Sequence, residues 1–306
     1  MGSLAAHRLA TAVFVLLGVS SITFFLLHLV PGDPIEVMLG ESASVADRAA
    51  LRTDLGLDAP IAEQWLDFHR NLLTFDLGTS LYSKKPIADV LAERIPWTMM
   101  LAGASLIVAL LIALPLGIAA ALRPDTAVDW GAATISLLGV SVPNFLLGPL
   151  LIIVFSIGLG WFPVSGTDAP TSIVLPALTL GASLAAILSR MIRASLLEVL
   201  SEEYIVSARA RGLSPATIIA RHALPNAALP VLTIIGLQLG ALLGGAVITE
   251  LIFAWPGIGQ LTIEAIQRRD YPLVQACVLV ISFAYVVVNT LTDILYASVD
   301  PRIGFD

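Results

Sequence analysis

The chain has 306 residues, is 57% hydrophobic and only 13% charged, and carries a formal net charge of −7. A soluble core of this length could not bury so much apolar surface, so lipid must be part of the environment. The acidic balance excludes a basic nucleic-acid-binding face. One cysteine excludes a disulfide framework, and four scattered histidines show no metal-ligand spacing.

Charge-free intervals predict six membrane-spanning helices, because about twenty apolar residues cross the hydrocarbon core. The first interval is longer than the apolar core of a signal peptide and lacks a clear cleavage site, so we expect an uncleaved anchor. The third is rich in proline and glycine, and we assign it one span followed by an interfacial loop around Trp161 and Phe162. The intervals are 9–32, 95–122, 130–167, 169–189, 222–249 and 271–292.

Arginine in the short loops predicts the orientation, because cytoplasmic loops are enriched in basic residues. If both termini are cytoplasmic, the short outer loops contain only two arginines, Arg268 and Arg269, and the other arginines counted lie inside. The opposite orientation would place the excess of arginine outside. Segment 31–94 is left out of this count of basic residues, because long loops cross the membrane largely regardless of their charge. The arginines then placed inside are Arg8, Arg123, Arg190, Arg193, Arg209, Arg211, Arg221 and Arg302.

Residues 32–94 are predicted to form a small extracytoplasmic cap of three short helices. Ser44 is a suitable N-cap for the first helix, and Gly56 a suitable stop. The second helix carries an apolar stripe, which favours a packed cap over a floppy polar loop. The predicted helices are 45–55, 60–73 and 86–94, and the stripe is Ile61, Trp65, Phe68 and Leu72.

A charged stretch, "SEEYIVSARARGLSPATIIARHALP", lies between two apolar runs at residues 201–225. Its signals predict two short helices. Ser201 caps the first and Gly212 ends it in the left-handed conformation. Ser214 and Pro215 start the second, and Pro225 ends it.

Two interpretations of the first of these helices remain open on physical grounds. Ile205, Ala208 and Arg209 share one face, which suits an amphipathic helix on lipid or a docking element for a soluble partner. A helix that only contacts lipid would prefer bulky apolar residues. The small residues here permit close packing against protein.

Segment 250–270 is the second candidate site. A helix cannot continue through Pro256 and Gly257, and a short helix is predicted at 261–269. Irregular backbone at membrane depth is tolerated only where it lines a cavity or packs on protein; the alternative is an ordinary extracellular turn. The charged side chains fit contact with peptide termini or a mutually paired surface cluster: Glu250, Glu264, Arg268, Arg269 and Asp270.

Several stretches resemble the permeases of binding-protein-dependent ABC importers. "YIVSARARG", residues 204–212, fits the peptide-permease form of their cytoplasmic signature, and Leu224-Pro225 follows at the expected spacing. The general signature has Glu-Ala-Ala where this chain has Val-Ser-Ala at 206–208, and Ile where it has His222. "HLVPGDP", "LRTDLGLDAP", "DLGTS", "ELIFAWPGIGQLTIEAIQRRDYPLVQA" and "DPRI" complete, in order, the pattern of the first permease subunit of dipeptide, oligopeptide and nickel importers.

The resemblance implies one of two homologous membrane subunits of an ATP-driven importer in a bacterial or archaeal inner membrane. Two ATPase subunits and an extracytoplasmic binding protein that delivers peptides are the implied partners; glutathione and nickel chelates are alternative substrates. The sequence has no Gly-x-x-x-x-Gly-Lys-Ser/Thr phosphate loop. ATP and magnesium are therefore expected on the partners, with no enzymatic activity, metal or cofactor in this chain.

The resemblance also assigns residues to roles. The helix from 203 to about 211 looks like a coupling helix that seats in a groove of the ATPase, and segment 250–270 looks like a loop at the mouth of the translocation path. The coupling residues are Glu203, Tyr204, Ala208, Arg209, Ala210, Arg211, Gly212 and Pro225. The path residues are Glu250, Phe253, Trp255, Pro256, Gly257, Gly259 and Asp270.

The predicted fold is an all-α polytopic membrane protein with a first span (1–31), a cap (32–94), a five-helix core (95–298) and a cytoplasmic tail (299–306). The core includes the coupling loop 201–222 and the outer loop 250–270. The rival class is an ion-coupled secondary transporter, which needs ionisable groups at mid-membrane; His28 and Asp293 both lie near span ends. A membrane scaffold or sensor is a third class.

Overall fold

The computed structural model describes residues 2–29, 35, 39, 44–54 and 56–299. In these ranges the chain is helical, with one isolated antiparallel bridge between Thr79 and Pro86, so the all-α prediction is confirmed. In chain order the helices are α1 (Gly2–Leu29), α2 (Val45–Asp54), α3 (Ile61–Leu73), α4 (Ile87–Leu122), α5 (Ala127–Ser141), α6 (Asn144–Leu151), α7 (Val174–Leu200), α8 (Glu203–Ala210), α9 (Pro215–Thr217), α10 (Leu224–Ile252), α11 (Ile258–Gln267) and α12 (Tyr271–Val299).

Four helical segments in these ranges are long and apolar enough to cross a bilayer. Each overlaps one of the predicted spans, and α1 adds a shorter apolar stretch, Ala10–Leu26. The end of the first predicted span, the "VPGDP" motif and the tail from residue 300 lie outside the described residues. Six crossings therefore remain a prediction. The four segments are Ile87–Leu122, Pro170–Leu200, Pro215–Gly240 and Tyr271–Thr292.

The third predicted span is not one straight helix. Ala127–Ser141 and Asn144–Gly158 together are apolar enough to cross a bilayer, but they meet at an angle of 102°. Pro143 has no N–H to offer the preceding turn, and it holds Val142 in an extended conformation (φ −89°, ψ 113°). The charge-free interval did not reveal this break, because amino-acid composition does not indicate where a helix axis changes direction.

Two of the three helices predicted between residues 32 and 94 are present as separate helices, and an extracytoplasmic cap stays a prediction. Ser44 caps α2 by accepting a 3.1 Å hydrogen bond from the Asp47 N–H, and Gly56 follows with φ +66°. Helix α3 begins one residue after the predicted start. The third predicted helix, 86–94, is not separate, because α4 continues from Ile87 to Leu122 and Pro96 does not break it.

The apolar stripe of α3 packs along α1. The Trp65 indole N–H donates to the Ser21 hydroxyl at 3.1 Å, and Phe68 stacks on Phe24 with ring centroids 5.6 Å apart. The His69 ring lies 2.9 Å from the Ser20 hydroxyl. The opposite face of α3 is exposed, so the helix is amphipathic as predicted and not a floppy loop.

The chain divides into two compact units. The first comprises Met1–Thr98 and Pro256–Ala284, and the second comprises Met99–Trp255 and Tyr285–Asp306. The core of the first unit joins the start of α4 to α11 and the first half of α12. Its buried residues are Ile87, Leu91, Ile258, Leu261, Ala265, Leu273, Val274, Ala276 and Cys277.

Helix α7 is the central helix of the second unit. Small residues let its neighbours approach closely. A Cβ at Gly117 of α4 would lie 2.7 Å from the Ser189 carbonyl oxygen, and one at Gly181 would lie 2.8 Å from the Ser105 carbonyl oxygen. The backbones of α4 and α7 are therefore in direct contact, and α7 links the middle of this unit to α8.

Candidate coupling helix and path residues

Helix α8 is held to the second unit by one face. Ile205 and Ala208, three residues apart on that face, are completely buried. They pack into a cluster that includes Leu196 near the end of α7, Ala121 at the end of α4, and Ala223. Helix α8 is therefore packed directly against the ends of two long apolar helices, α4 and α7.

The predicted limits of the first helix are correct, but its predicted cap is wrong. Ser201 terminates α7, and its hydroxyl donates to the Glu198 carbonyl at 2.6 Å, so Glu202 takes the N-cap position of α8. Gly212 ends α8 as predicted, with φ +77°. The connection between α7 and α8 is consequently shorter and tighter than the sequence signals indicated.

The second predicted helix also starts as expected. The Ser214 hydroxyl accepts a 3.2 Å hydrogen bond from the Thr217 N–H, and Pro215 occupies the first turn. The prediction that Pro225 ends this helix is wrong. A wide-turn segment, Ile218–Ala223, leads directly into α10, and Pro225 sits in the first turn of α10, where its missing N–H is tolerated.

The His222 carbonyl, at the end of that wide-turn segment, ties α10 to α8. It accepts a 2.7 Å hydrogen bond from the Asn226 side chain and lies 3.4 Å from the Tyr204 hydroxyl. Burial and the nearby Glu202 carboxylate raise the pKa of Tyr204. A tyrosine phenol is neutral at neutral pH with or without this shift, so Tyr204 can donate to the His222 carbonyl.

The remaining faces of α8 are exposed. Val206 is 56% exposed and Tyr204 40% exposed, on a helix whose inner face is already packed. Arg209 and Arg211 follow them in the chain and are also exposed. Of the predicted coupling residues, Ala208 anchors the helix from inside, whereas the exposed ones are Glu203, Tyr204, Arg209, Ala210, Arg211, Gly212 and Pro225.

The predicted path residues are mostly buried. Glu250 is fully buried, and Phe253 and Trp255 are each 2% exposed. The Phe253 carbonyl accepts a 2.9 Å hydrogen bond from the Gly166 N–H, which ties the end of α10 to the loop after α6. These side chains shape the segment from within.

The helix break in this segment lies earlier than predicted. Helix α10 ends at Ile252, and Ala254 takes the left-handed conformation (φ +48°) while the Trp255 N–H donates to the Glu250 carbonyl at 2.8 Å. Gly257 is extended (φ −92°, ψ −175°) and serves as N-cap of α11. Pro256 and Gly257 therefore follow a turn that Ala254 has already made.

Asp270 binds the chain's own backbone. Its carboxylate accepts hydrogen bonds from the Ser80 hydroxyl (2.5 Å), the Leu81 N–H (3.1 Å) and the Tyr82 N–H (3.2 Å). Asp270 is 1% exposed. In the described ranges no ion pair joins it to Glu264, Arg268 or Arg269, so the alternative of a mutually paired cluster is wrong for these residues.

A groove that the sequence did not indicate lies between α4, α5 and α7. This open groove has a volume of about 850 Å³, and its polar wall includes Ser136, Ser189, Arg190 and the ion pair of Asp129 with Arg193. The Ser136 and Ser189 hydroxyls are 2.8 Å apart. Sequence reasoning used Arg190 and Arg193 only to assign orientation, because nothing in the pattern places Asp129 beside them.

Comparison with known proteins decides the family. Residues 113–305 match the model described as "Binding-protein-dependent transport system inner membrane component", and residues 1–102 match the corresponding N-terminal model. The chain belongs to this family of ABC importer permeases. It is 40% identical to the glutathione transport system permease protein GsiC of Escherichia coli K12 and 41% identical to that of Pectobacterium atrosepticum, over 97% of each chain.

Solved structures agree on the fold of this permease. One subunit of the MetNI methionine ABC transporter in an inward-facing conformation superposes with a TM-score of 0.60 at 21% identity, covering 71% of this chain and 99% of that one. A chain of an amino acid ABC transporter gives a TM-score of 0.51 at 15% identity, covering 71% of this chain and 95% of the other.

Membership settles the coarse function. The chain is a multi-pass permease subunit of an ABC importer and is not itself a catalytic enzyme. Permeases of this family operate with an ATPase, a binding protein and, generally, a second permease. Among the described residues, no group of three or more metal-ligating side chains could hold a metal ion.

Proposed function

We propose that this permease forms half of the translocation path for small peptides delivered by an extracytoplasmic binding protein, in a heterodimer with a second, homologous subunit. Two partner ATPases bind ATP and magnesium, and this chain binds no cofactor. The exposed face of α8, with Tyr204, Val206 and Arg209 on a helix anchored by Ile205 and Ala208, is the observation that carries the proposal.

The two faces of α8 suit a mechanical role. The inner face is sealed against Leu196 and Ala121, so α8 moves with α7 and α4 as one body. The outer face offers Tyr204 and Val206, followed by Arg209 and Arg211. Tyrosine and arginine are enriched among the residues that anchor protein interfaces. When the two ATPases close on each other, a helix seated on them would rock the attached spans between two states.

The groove between α4, α5 and α7 is our candidate for the inner part of the path. Peptides and glutathione carry carboxylates, and Arg190 is exposed in the groove wall without an ion-pair partner among the described residues. The Ser136 and Ser189 hydroxyls add weaker, orientation-tolerant polar groups. Segment 250–270 is proposed to border the outer mouth, with Phe253 and Trp255 supporting its shape.

The name of the relatives favours glutathione, a tripeptide, within the peptide class. The decisive experiment reconstitutes the complete transporter in proteoliposomes with its binding protein. Uptake of labelled glutathione, dipeptides, longer oligopeptides and a nickel chelate is compared with and without ATP. We expect ATP-dependent uptake of glutathione or short peptides.

The same preparation tests the rival class. Uptake that proceeds without ATP and collapses with a protonophore or sodium ionophore would support an ion-coupled secondary transporter. ATP-dependent uptake of the nickel chelate alone would support an ATP-driven importer whose substrate is a nickel chelate and not a peptide.

A further inference from the structure

We propose that helix α3 lies within the outer half of the membrane beside α1, and not in a cap above it. One exposed face of α3 then contacts lipid, and its charged face borders the water-filled entrance of the translocation path. The depth of α3 follows from its contacts with α1. The assignment of its charged face to the path rests on the proposed function and adds a surface to it.

Helix α3 runs antiparallel to α1, from the C-terminal end of α1 towards its middle. The side-chain oxygen of Gln64 lies 3.2 Å from a ring nitrogen of His28, one residue before α1 ends. Five residues further along α3, the His69 ring lies 2.9 Å from the Ser20 hydroxyl. Because eight residues of helix rise about 12 Å, the contacts of α3 cover about 12 Å of α1.

The contacts with Ser20 and Ser21 are close to the middle of the apolar part of α1. That part is Ala10–Leu26, so its midpoint is only two residues from Ser20. The charge-free run 9–32 has its midpoint between Ser20 and Ser21. The middle of a helix that crosses the bilayer is roughly 15 Å from either edge of the hydrocarbon core. The part of α3 beside Ser20 is therefore at membrane depth when α1 spans the bilayer.

The seam between α1 and α3 pairs its polar side chains with each other or with backbone. The Trp65 indole N–H donates to the Ser21 hydroxyl at 3.1 Å, and the second ring nitrogen of His69 lies 2.9 Å from the Trp65 carbonyl oxygen. Phe68 stacks on Phe24 between these contacts. Hydrogen bonds between helices, combined with close packing, are typical of helices that associate inside a membrane.

One exposed face of α3 is apolar. Successive residues of a helix are about 100° apart, so Ala62, Leu66 and Leu73 project within about 40° of one another. Leu66 is 43% exposed and Leu73 is 82% exposed, and Phe75 just after the helix is 90% exposed. In the stretch that α3 contacts, α1 also exposes apolar side chains, including Ile22 at 60%. Exposed apolar surface at this depth is suited to acyl chains, so we assign this face to lipid.

The charged face of α3 lies beside the apolar face. Glu63, Asp67 and Arg70 project within about 60° of one another, roughly 90° around the helix from the apolar face. The Arg70 guanidinium is 3.2 Å from the Asp67 carboxylate, and these side chains are 66% and 64% exposed. Lipid solvates charges poorly, so charged side chains at membrane depth face water or protein. Charges of both signs suit a peptide, whose two termini are oppositely charged, and we therefore assign this face to the entrance of the path.

Spin labels on single cysteines measure which solvent each face of α3 contacts. The complete transporter is studied in nanodiscs, with Cys277→Ala in this chain and no other cysteines. Labels at 66 and 73 should be more accessible to oxygen than to water-soluble chromium oxalate, most strongly at 73 because α3 runs inward. Labels at 63 and 70 should favour chromium oxalate. The references are Leu111→Cys, at a 70% exposed position of α4, for lipid and Ala50→Cys, at an exposed position of α2, for water.

Covalent modification tests whether the charged face borders the path. A sulfonated maleimide is attached to Glu63→Cys or Arg70→Cys, and ATP-driven peptide uptake is compared with that of the same variant before modification. The thioether that forms is not reduced by glutathione. Uptake should fall severalfold, because the adduct adds bulk and negative charge at the entrance. Modification of Ala50→Cys is the matched control and should leave uptake unchanged.

Four results would overturn the proposal. Labels at 66 and 73 that match position 50 would place α3 in water, as in the predicted cap. Equal oxygen preference at 66 and 73 would place α3 flat on the bilayer surface. Labels at 63 and 70 that are shielded from both reagents would assign the charged face to a protein partner. Full uptake after modification at each of these positions would place that face outside the path.

Failure of the proposed function gives a different result. The unmodified transporter would then show no ATP-driven uptake of peptides. The accessibility of the spin labels would still measure the depth of α3, because that measurement does not depend on transport.

Discussion

Asp129 and Arg193 form a bidentate ion pair between the first turn of α5 and the last third of α7. The guanidinium Nε lies 2.5 Å from Oδ1, and the other nitrogen lies 2.6 Å from Oδ2. The Asp125 N–H donates to the same carboxylate at 3.0 Å, so the loop before α5 is included. This pair fixes α5 to α7 close to the point where α7 leads into α8.

Breaking this pair should weaken both assembly and coupling. Arg193→Lys keeps the charge but loses the planar fork that binds two carboxylate oxygens, so we expect a modest fall in thermal stability. Asp129→Asn removes the charge that Arg193 needs, and we expect a larger fall and a severalfold loss of uptake. Thermal unfolding of the purified complex tests whether stability falls from wild type to Arg193→Lys to Asp129→Asn. Equal stability of wild type and Asp129→Asn would contradict it.

Gly212 should tolerate asparagine better than valine. Its φ of +77° suits glycine, and a Cβ there would meet no atom within 4 Å, so the cost is backbone strain alone. A β-branched residue pays about 1–2 kcal/mol or more for this conformation, whereas asparagine adopts it readily. Uptake by Gly212→Val should fall well below that of Gly212→Asn. Equal uptake by the two variants would show that the left-handed stop is unimportant.

Asp270→Asn should loosen the 79–86 loop. An amide offers only one acceptor oxygen, so at least one of the N–H groups of Leu81 and Tyr82 loses its partner, at a cost of about 1–3 kcal/mol. Hydrogen exchange of the Leu81 and Tyr82 amides should therefore accelerate. Asp89→Asn is the control, because Asp89 is exposed on α4. If exchange at the loop were unchanged in Asp270→Asn, the carboxylate would not be what holds it.

Six spans with both termini inside can be checked by cysteine labelling. Ala50→Cys on α2 and Ala216→Cys on α9 are both exposed, and neither removes the caps provided by Ser44 and Ser214. In a Cys277→Ala background, an impermeant reagent applied to whole cells should modify position 50 and spare position 216. Labelling at position 216 with none at position 50 would show that the chain has the opposite orientation in the membrane.

Local signals predicted much of this fold because they depend on neighbours in sequence. Ser44, Gly56, Gly212 and Ser214 each act at the helix end that their residue type indicated. Pro225 did not end a helix, because it sits in the first turn of α10, where its missing N–H is tolerated. Pro143 lay inside a charge-free interval, so its 102° bend was invisible to composition.

Long-range contacts were beyond the sequence. Asp129 and Arg193 are 64 residues apart, and Ser80 and Asp270 are 190 residues apart. No periodicity in one chain specifies such pairs, since they depend on how helices are arranged. Phe253, Trp255 and Glu250 were singled out by their place in a motif, and their burial follows from packing that the motif does not describe.

The central claim is that α8 transmits ATP-driven motion through its exposed face. The most direct measurement is ATP hydrolysis by the reconstituted transporter, with and without substrate-loaded binding protein. Arg209→Glu should abolish the stimulation, because it places an opposite charge in the contact. Arg221→Glu, exposed on the following wide-turn segment, is the matched control and should retain most of it. Full stimulation and full uptake in Arg209→Glu would contradict the account and leave α8 as a membrane-surface element.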